Sequence, residues 1–261
     1  MSYQLMARER RVRMKHFSPH PDCWRRSHVT AGAVVGLALL AVLGAVAAGP
    51  GTVWWDESVQ RALLAIDGSG WHAVATTGNW VGETPVSYGI LAGTGLFLLV
   101  RHRFLEAALI GGVTLVRSLN WPIKWVFDSP RPATNDLGTN DIASGLGYPS
   151  GHAMSSMLVG GALLIVVFRL SRSRRVRTVA VVIVTSLILA TGFGRVVSQA
   201  HWPSDVAGGW LTGGALLGIV AIAMSVIDQR RLRDRTGEPG DFPAATLLAN
   251  PFSSRAVRRS R

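Results

Sequence analysis

The sequence predicts an all-α, polytopic membrane protein of six transmembrane helices, on three observations. Of 261 residues 48% are hydrophobic, and the mean hydropathy is +0.29, more apolar than an ordinary soluble domain and too short for more than one or two domains. Apolar runs recur at the length of a bilayer crossing, roughly 20 residues. No run alternates with a period of two, and only helices or closed barrels satisfy every backbone group in lipid.

The first apolar run, residues 28–48, follows a basic segment and ends in Ala45-Val46-Ala47. That triplet resembles a signal-peptidase site, but the stretch is long for a secretion signal and further spans follow, so an uncleaved signal anchor is expected. Residues 49–84 read as an outer segment carrying Trp54, Trp55, Trp71 and Trp80. These rings either lie in the headgroup region or pack on helix ends. The second run, 85–100, is the shortest. The third, 104–127, carries Arg117 and Asn120 inside it, and the remaining three are 151–168, 177–193 and 203–227. The expected organisation is a basic cytoplasmic segment over 1–27, a membrane domain over 28–227, and a basic cytoplasmic tail over 228–261 that lacks the apolar content to form a core.

The net charge of +12 invites a nucleic-acid reading, and the distribution of the charge argues against it. Of 27 Lys and Arg, seven precede the first run, two (Arg101, Arg103) lie between the second and third, five lie between the fourth and fifth, and eight follow the sixth. In a six-span protein all these segments share one side, which the positive-inside rule makes cytoplasmic. The excess also suits anionic headgroups. Cys23, the only cysteine, excludes an intrachain disulfide.

Chemistry concentrates in three stretches at the non-cytoplasmic ends of their helices. The first is Lys124 with Arg131-Pro132. Charged groups near membrane depth are costly and imply function. A lysine alone reads as a snorkelling side chain, but two cations across a short turn call for an anion, with arginine offering a planar fork and lysine a compact charge. The second is Pro149-Ser150-Gly151-His152, ahead of an apolar helix. Ser150 is placed as N-cap, Gly151 lets a ligand approach the backbone, and a helix start is an anion site. His152 fits a proton donor to a leaving alkoxide. The third is Arg195, His201 and Asp205. Asp205 is placed to orient the His201 ring and leave its other nitrogen as a nucleophile, the base–orienter logic of a triad. Arg195 is placed to neutralise phosphoryl oxygens, because a phosphoryl-transfer transition state spreads charge over them. No His/Cys/Asp/Glu set has metal-ligand spacing, so neither a metal nor another cofactor is expected.

The three stretches resemble the signature of the type 2 phosphatidic acid phosphatase (PAP2) superfamily: lysine, six residues, Arg-Pro; Pro-Ser-Gly-His; Ser-Arg, five residues, His, three residues, Asp. The resemblance covers roughly residues 53–227, and one position departs, Gly194 standing where the pattern has serine. It implies a helical bundle like that of the vanadium haloperoxidases, with a phosphohistidine on His201, oriented by Asp205. His152 would protonate the leaving group, and Lys124, Arg131, Ser150, Gly151 and Arg195 would hold the phosphate. The implied partners are a lipid phosphate or diphosphate and the surrounding membrane lipids.

The function expected is a metal-independent lipid phosphatase of a plasma membrane, with its site at the outer face. A polyprenyl diphosphate leads, with phosphatidylglycerophosphate or phosphatidate as alternatives. A phosphotransferase would use the same residues. A soluble haloperoxidase is disfavoured by six spans, and a relict lipid binder by the presence of both histidines and Asp205. Two features stay open. Arg117, Asn120 and Lys124 share a helix face, as a polar track that positions Lys124 or with Arg117 paired to a carboxylate in the bundle. Glu83 either bridges a site cation or marks the interface.

Overall fold

The computed structural model describes residues 53–66, 68–127, 129, 131–132 and 146–236, together with residues 32, 34–36, 38, 41, 44 and 45, which are helical. Every element of regular structure among them is a helix: α1 (Asp56–Leu64), α2 (Ser69–Gly82), α3 (Thr84–Val100), α4 (Phe104–Arg117), α5 (Asn120–Phe127), α6 (Gly151–Leu170), α7 (Arg174–Val197) and α8 (Pro203–Thr236). Residues 1–224 form one compact unit and 225–261 another. Most of the expected first span, the N-terminal basic segment and the tail beyond residue 236 fall outside the described residues, while residues 228–236 of the expected tail continue α8.

Among the described residues three helices are long and apolar enough to cross a membrane: α6, α7 and residues 203–231 of α8. The pair α2 and α3, bent by 61° at Glu83, adds a fourth if it counts as one broken span. Glu83 is extended (φ −61°, ψ 148°), and Pro85 follows in the first turn of α3, so neither helix can run through.

The third expected span is divided. Residues 104–127 form α4 and α5, separated at Ser118 and Leu119. Pro122 explains the break: it has no N–H for the carbonyl of Ser118, and its ring crowds that carbonyl. The chain tightens instead, with the N–H groups of Ser118 and Leu119 donating to Leu115 and Val116, three residues back as in a 3₁₀ turn.

The outer segment also differs from the expected loop, because it folds into α1 and α2. The sequence of α2 is rich in Gly and Thr and has no long apolar run, so tertiary packing sustains this helix rather than propensity. That packing is against α7. A Cβ on Gly78 would stand 2.0 Å from the carbonyl oxygen of Ala190, and one on Gly194 would stand 2.4 Å from that of Ala75. One glycine on each helix thus lets the two backbones approach closely, as small residues do between membrane helices.

The apolar core joins Leu91 and Leu98 of α3, Leu109, Ile110 and Val113 of α4, Met154, Leu158 and Ala162 of α6, and Leu216 and Val220 of α8. By contrast Val176, Val179, Val182, Ile183 and Leu189 of α7 and Leu96, Phe97 and Val100 of α3 are exposed. Such outward apolar faces are what a bilayer solvates. At the other end of the bundle from His152, Arg177 closes the end of α6 by donating to the carbonyls of Phe168 (2.9 Å) and Ser171 (2.8 Å).

Gly78→Ala should lower the thermal midpoint of the protein in detergent, because the added methyl must displace backbone; overpacking of this kind costs about 1–3 kcal/mol. An unchanged melting curve would show that α2 and α7 do not meet as closely as described.

Candidate active site

Two helix starts meet at the site. The N–H of Ser150, which precedes α6, donates to the carbonyl of Asp205 in the first turn of α8 at 2.9 Å. Glycines on α8 permit this approach: a Cβ on Gly208 would enter the Tyr148 ring, and one on Gly209 would stand 2.5 Å from the Ser150 carbonyl oxygen. Ser150 occupies the N-cap position but makes no capping bond with its side chain, which corrects the expected cap. Its Oγ is fully buried and has no hydrogen-bond partner. A buried hydroxyl without a partner is expensive, and an anion oxygen at the helix start is what would satisfy it.

His201 and Asp205 are both buried, with Nδ1 of the histidine 3.3 Å from Oδ2 of the aspartate. The same Oδ2 accepts the N–H of Trp202 at 3.1 Å, so the carboxylate is held as acceptor. With the proton on Nδ1, the Nε2 lone pair is left for chemistry. The turn that presents His201 is tight. Gln199 takes a positive φ of 53°, unusual for a residue with a Cβ, and the His201 N–H returns to the Arg195 carbonyl at 3.2 Å. Burial holds the His201 imidazole well below its ordinary value of 6.5, reinforced by Arg195, Lys124, Arg131 and His152, so the ring is neutral.

The cations are held by neutral oxygens. Lys124, on α5, donates to the carbonyls of Leu146 (2.7 Å) and Gly147 (3.1 Å). Arg131 donates to the carbonyls of Leu146 and Ala200, each at 3.4 Å, and so ties the loop before α6 to the turn before α8. Arg195 donates to Oδ1 of Asn79 on α2 at 3.4 Å. Asn120 lies against Gly151, where a Cβ would stand 2.9 Å from its Oδ1. His152 is half-buried, and its ring abuts Gly82. All eight residues singled out from the sequence converge here. Glu83 is exposed and forms no ion pair among the described residues, which favours the interface reading over a bridge to the site.

Two contributors were missed. Asp56, on α1, is 1% exposed and accepts from Ser204 twice, from its N–H at 2.8 Å and its hydroxyl at 2.6 Å. It caps α8 from a distance of 148 residues and fixes the turn bearing Asp205. Burial raises its carboxyl above the usual range, against the lowering effect of the Ser204 and Val53 hydrogen bonds. Asn79 is the other, and it explains the departure at Gly194: a serine there would collide with the Ala75 carbonyl, while Asn79 holds Arg195 from the same helix. Neither residue carried a signal beyond its own polarity in an outer segment.

Comparison with known proteins agrees with this geometry. Residues 105–228 match the model of the PAP2 superfamily, and all eight site residues lie inside that stretch. The crystal structure of a transmembrane PAP2-type phosphatidylglycerolphosphate phosphatase from Bacillus subtilis is similar in fold. Its TM-score is 0.63 at 20% identity, covering 76% of this chain and 96% of that one. No curated protein matches the sequence. Residues 105–228, just under half of the chain, thus resemble the PAP2 superfamily in sequence, and the chain shares the fold of a PAP2-type phosphatase.

Asp56→Ala should leave the buried Ser204 groups without an acceptor and cost about 1–3 kcal/mol, read as a lower thermal midpoint together with reduced turnover. Asp56→Asn, which keeps an acceptor, should recover most of both. The buried neutral His201 makes a second expectation. The unfolded chain takes up a proton as pH falls below 6.5 and the folded one does not, so stability is full above that value and declines beneath it. Thermal midpoints measured from pH 7.5 to 5 should show that decline, and His201→Gln should flatten it.

Proposed function

We propose that the chain removes phosphate from a membrane lipid through a phosphohistidine formed on His201. The observation that carries this reading is the buried His201–Asp205 pair at 3.3 Å, set among Lys124, Arg131 and Arg195. In the first step Nε2 of His201 attacks phosphorus, and the bond from phosphorus to the lipid oxygen breaks. His152 donates a proton to that oxygen as it leaves. In the second step His152 takes a proton from water, the water oxygen attacks phosphorus, and the P–N bond returns its electrons to His201. Asp205 holds the ring and stabilises the positive charge it gains. The fixed cations, the Ser150 hydroxyl and the N–H groups opening α6 meet the phosphoryl oxygens, so the reaction needs no divalent cation.

The favoured substrate is a polyprenyl diphosphate, reached from a site at the non-cytoplasmic face of a six-span bundle with both termini in the cytoplasm. The positive-inside distribution of Lys and Arg supports that placement. Phosphatidylglycerophosphate is the second reading, favoured by the activity named for the Bacillus subtilis protein of the same fold. Transfer to an acceptor other than water would use the same residues.

The test is phosphate release by the detergent-solubilised full chain from polyprenyl diphosphate, phosphatidylglycerophosphate, phosphatidate and a soluble aryl phosphate. His201→Ala should lose about a thousandfold or more on every substrate; retained turnover would remove the nucleophile assignment. His152→Ala should lose about 10²–10⁴-fold on the lipids and much less on the aryl phosphate, whose leaving group needs no proton. Equal losses on both would remove the general-acid role.

A further inference from the structure

Arg117 is a buried cation that the chemistry above does not use. It ends α4, is 8% exposed, and donates through one terminal nitrogen to Thr84 Oγ1 at 3.1 Å. Its guanidinium carbon stands 4.3 Å from the centroid of the Tyr88 ring. Its Nε is buried and has no hydrogen-bond partner. The carboxylate considered from the sequence is not there: among the described residues none pairs with Arg117, and Glu106 of the same helix pairs with Arg169 at 3.0 Å. Ser87, one turn beyond Thr84 on α3, is 1% exposed, and its Oγ also lacks a partner. A buried charge without a counter-charge is strongly unfavourable, and an anion would relieve it.

The location says which anion. Thr84 lies two residues after Gly82, where a Cβ would stand 2.9 Å from the His152 ring. If His152 protonates the leaving oxygen, whatever is bonded to that oxygen lies on this side of the site. In phosphatidate that group is an uncharged glyceride. In a lipid diphosphate, or a lipid with a terminal phosphate and an internal phosphodiester, it carries a second, charged phosphate.

We propose that Arg117, assisted by Thr84 and Ser87, forms a second phosphate subsite that holds the non-transferred phosphate of a two-phosphate lipid. The planar donors of arginine suit phosphate oxygens, and the Tyr88 ring, 4.3 Å from the guanidinium carbon, supports the cation from one side. This rests on the leaving-group side assigned to His152.

The test compares kcat/KM of wild type, Arg117→Lys and Arg117→Gln on polyprenyl diphosphate, phosphatidylglycerophosphate and phosphatidate, using the full chain in detergent. The ratio of a two-phosphate lipid to phosphatidate should fall about tenfold or more in Arg117→Gln, the loss of a charge-assisted hydrogen bond, and less in Arg117→Lys. Which of the two lipids shows the fall identifies the phosphate spacing that the subsite accepts. Should Arg117→Gln fail to fold, competition answers in its place. Inorganic pyrophosphate should inhibit wild type more tightly than orthophosphate, and Arg117→Lys should narrow that gap. Losses in equal proportion on all three lipids would reduce Arg117 to a structural residue and overturn the subsite. A wild type active on none of the lipids would instead remove the phosphatase reading on which it rests.

Discussion

The hydrogen bond from the Ser150 N–H to the Asp205 carbonyl joins the starts of α6 and α8, and the rest of the site is arranged around it. Two helix N-termini brought to one point add their positive ends, so the region favours an anion before any side chain is counted. The approach also has a steric condition. Gly208, Gly209 and Gly213 turn toward Tyr148, Ser150, Met154 and Met157 at distances no Cβ could occupy. A methyl at any of them would push α8 away and carry His201 and Asp205 with it. The catalytic geometry and the packing of the bundle are therefore one constraint.

Charge balance gives the site its direction. Lys124, Arg131 and Arg195 donate to carbonyl and carboxamide oxygens, which orient the cations. Asp205 is engaged by His201 and by the Trp202 N–H. Three cations thus stand in a poorly solvated place, where electrostatic interactions are strong. In the proposed reaction a phosphoryl group gaining charge on its outer oxygens would meet donors already in position, so little reorganisation would be needed. Burial, reinforced by these cations, keeps the His201 ring neutral, as the proposed nucleophile must be.

Much of this was legible in the sequence because it is local. A histidine and an aspartate four apart at a helix start, or Pro-Ser-Gly-His before an apolar run, declare their geometry through spacing alone. The long apolar helices α6, α7 and α8 were equally plain. What failed to show depended on contacts between distant segments. Helix α2 has no apolar run because its stability comes from two glycine contacts with α7. Asp56 is one acidic residue among several in an outer segment until α1 brings it to Ser204. The interruption of the third span was readable after all, since Pro122 sits four residues beyond Ser118, but a hydropathy run hides a missing hydrogen bond. The Ser150 side chain went the other way: its N-cap position was right, yet its hydroxyl does not cap the helix.

These contacts also divide the labour within the chain. The stretch that matches the superfamily carries the residues proposed to attack, to protonate and to hold phosphate. Residues before it supply their supports: Asp56 fixes the turn carrying Asp205, Asn79 holds Arg195, Gly82 abuts His152, and Thr84 receives Arg117. Asp56 acts through Ser204, while the other three lie directly against a side chain of the site, two from α2 and one from the start of α3. A shift of the bend between α2 and α3 would reach Arg195, His152 and Arg117 together without altering the His201–Asp205 pair. In the proposed reaction the chemistry rests on the shared motif, and the fit of the leaving group on the segment in front of it. Substrate preference can accordingly change through α2 and the start of α3 at little cost to the catalytic pair.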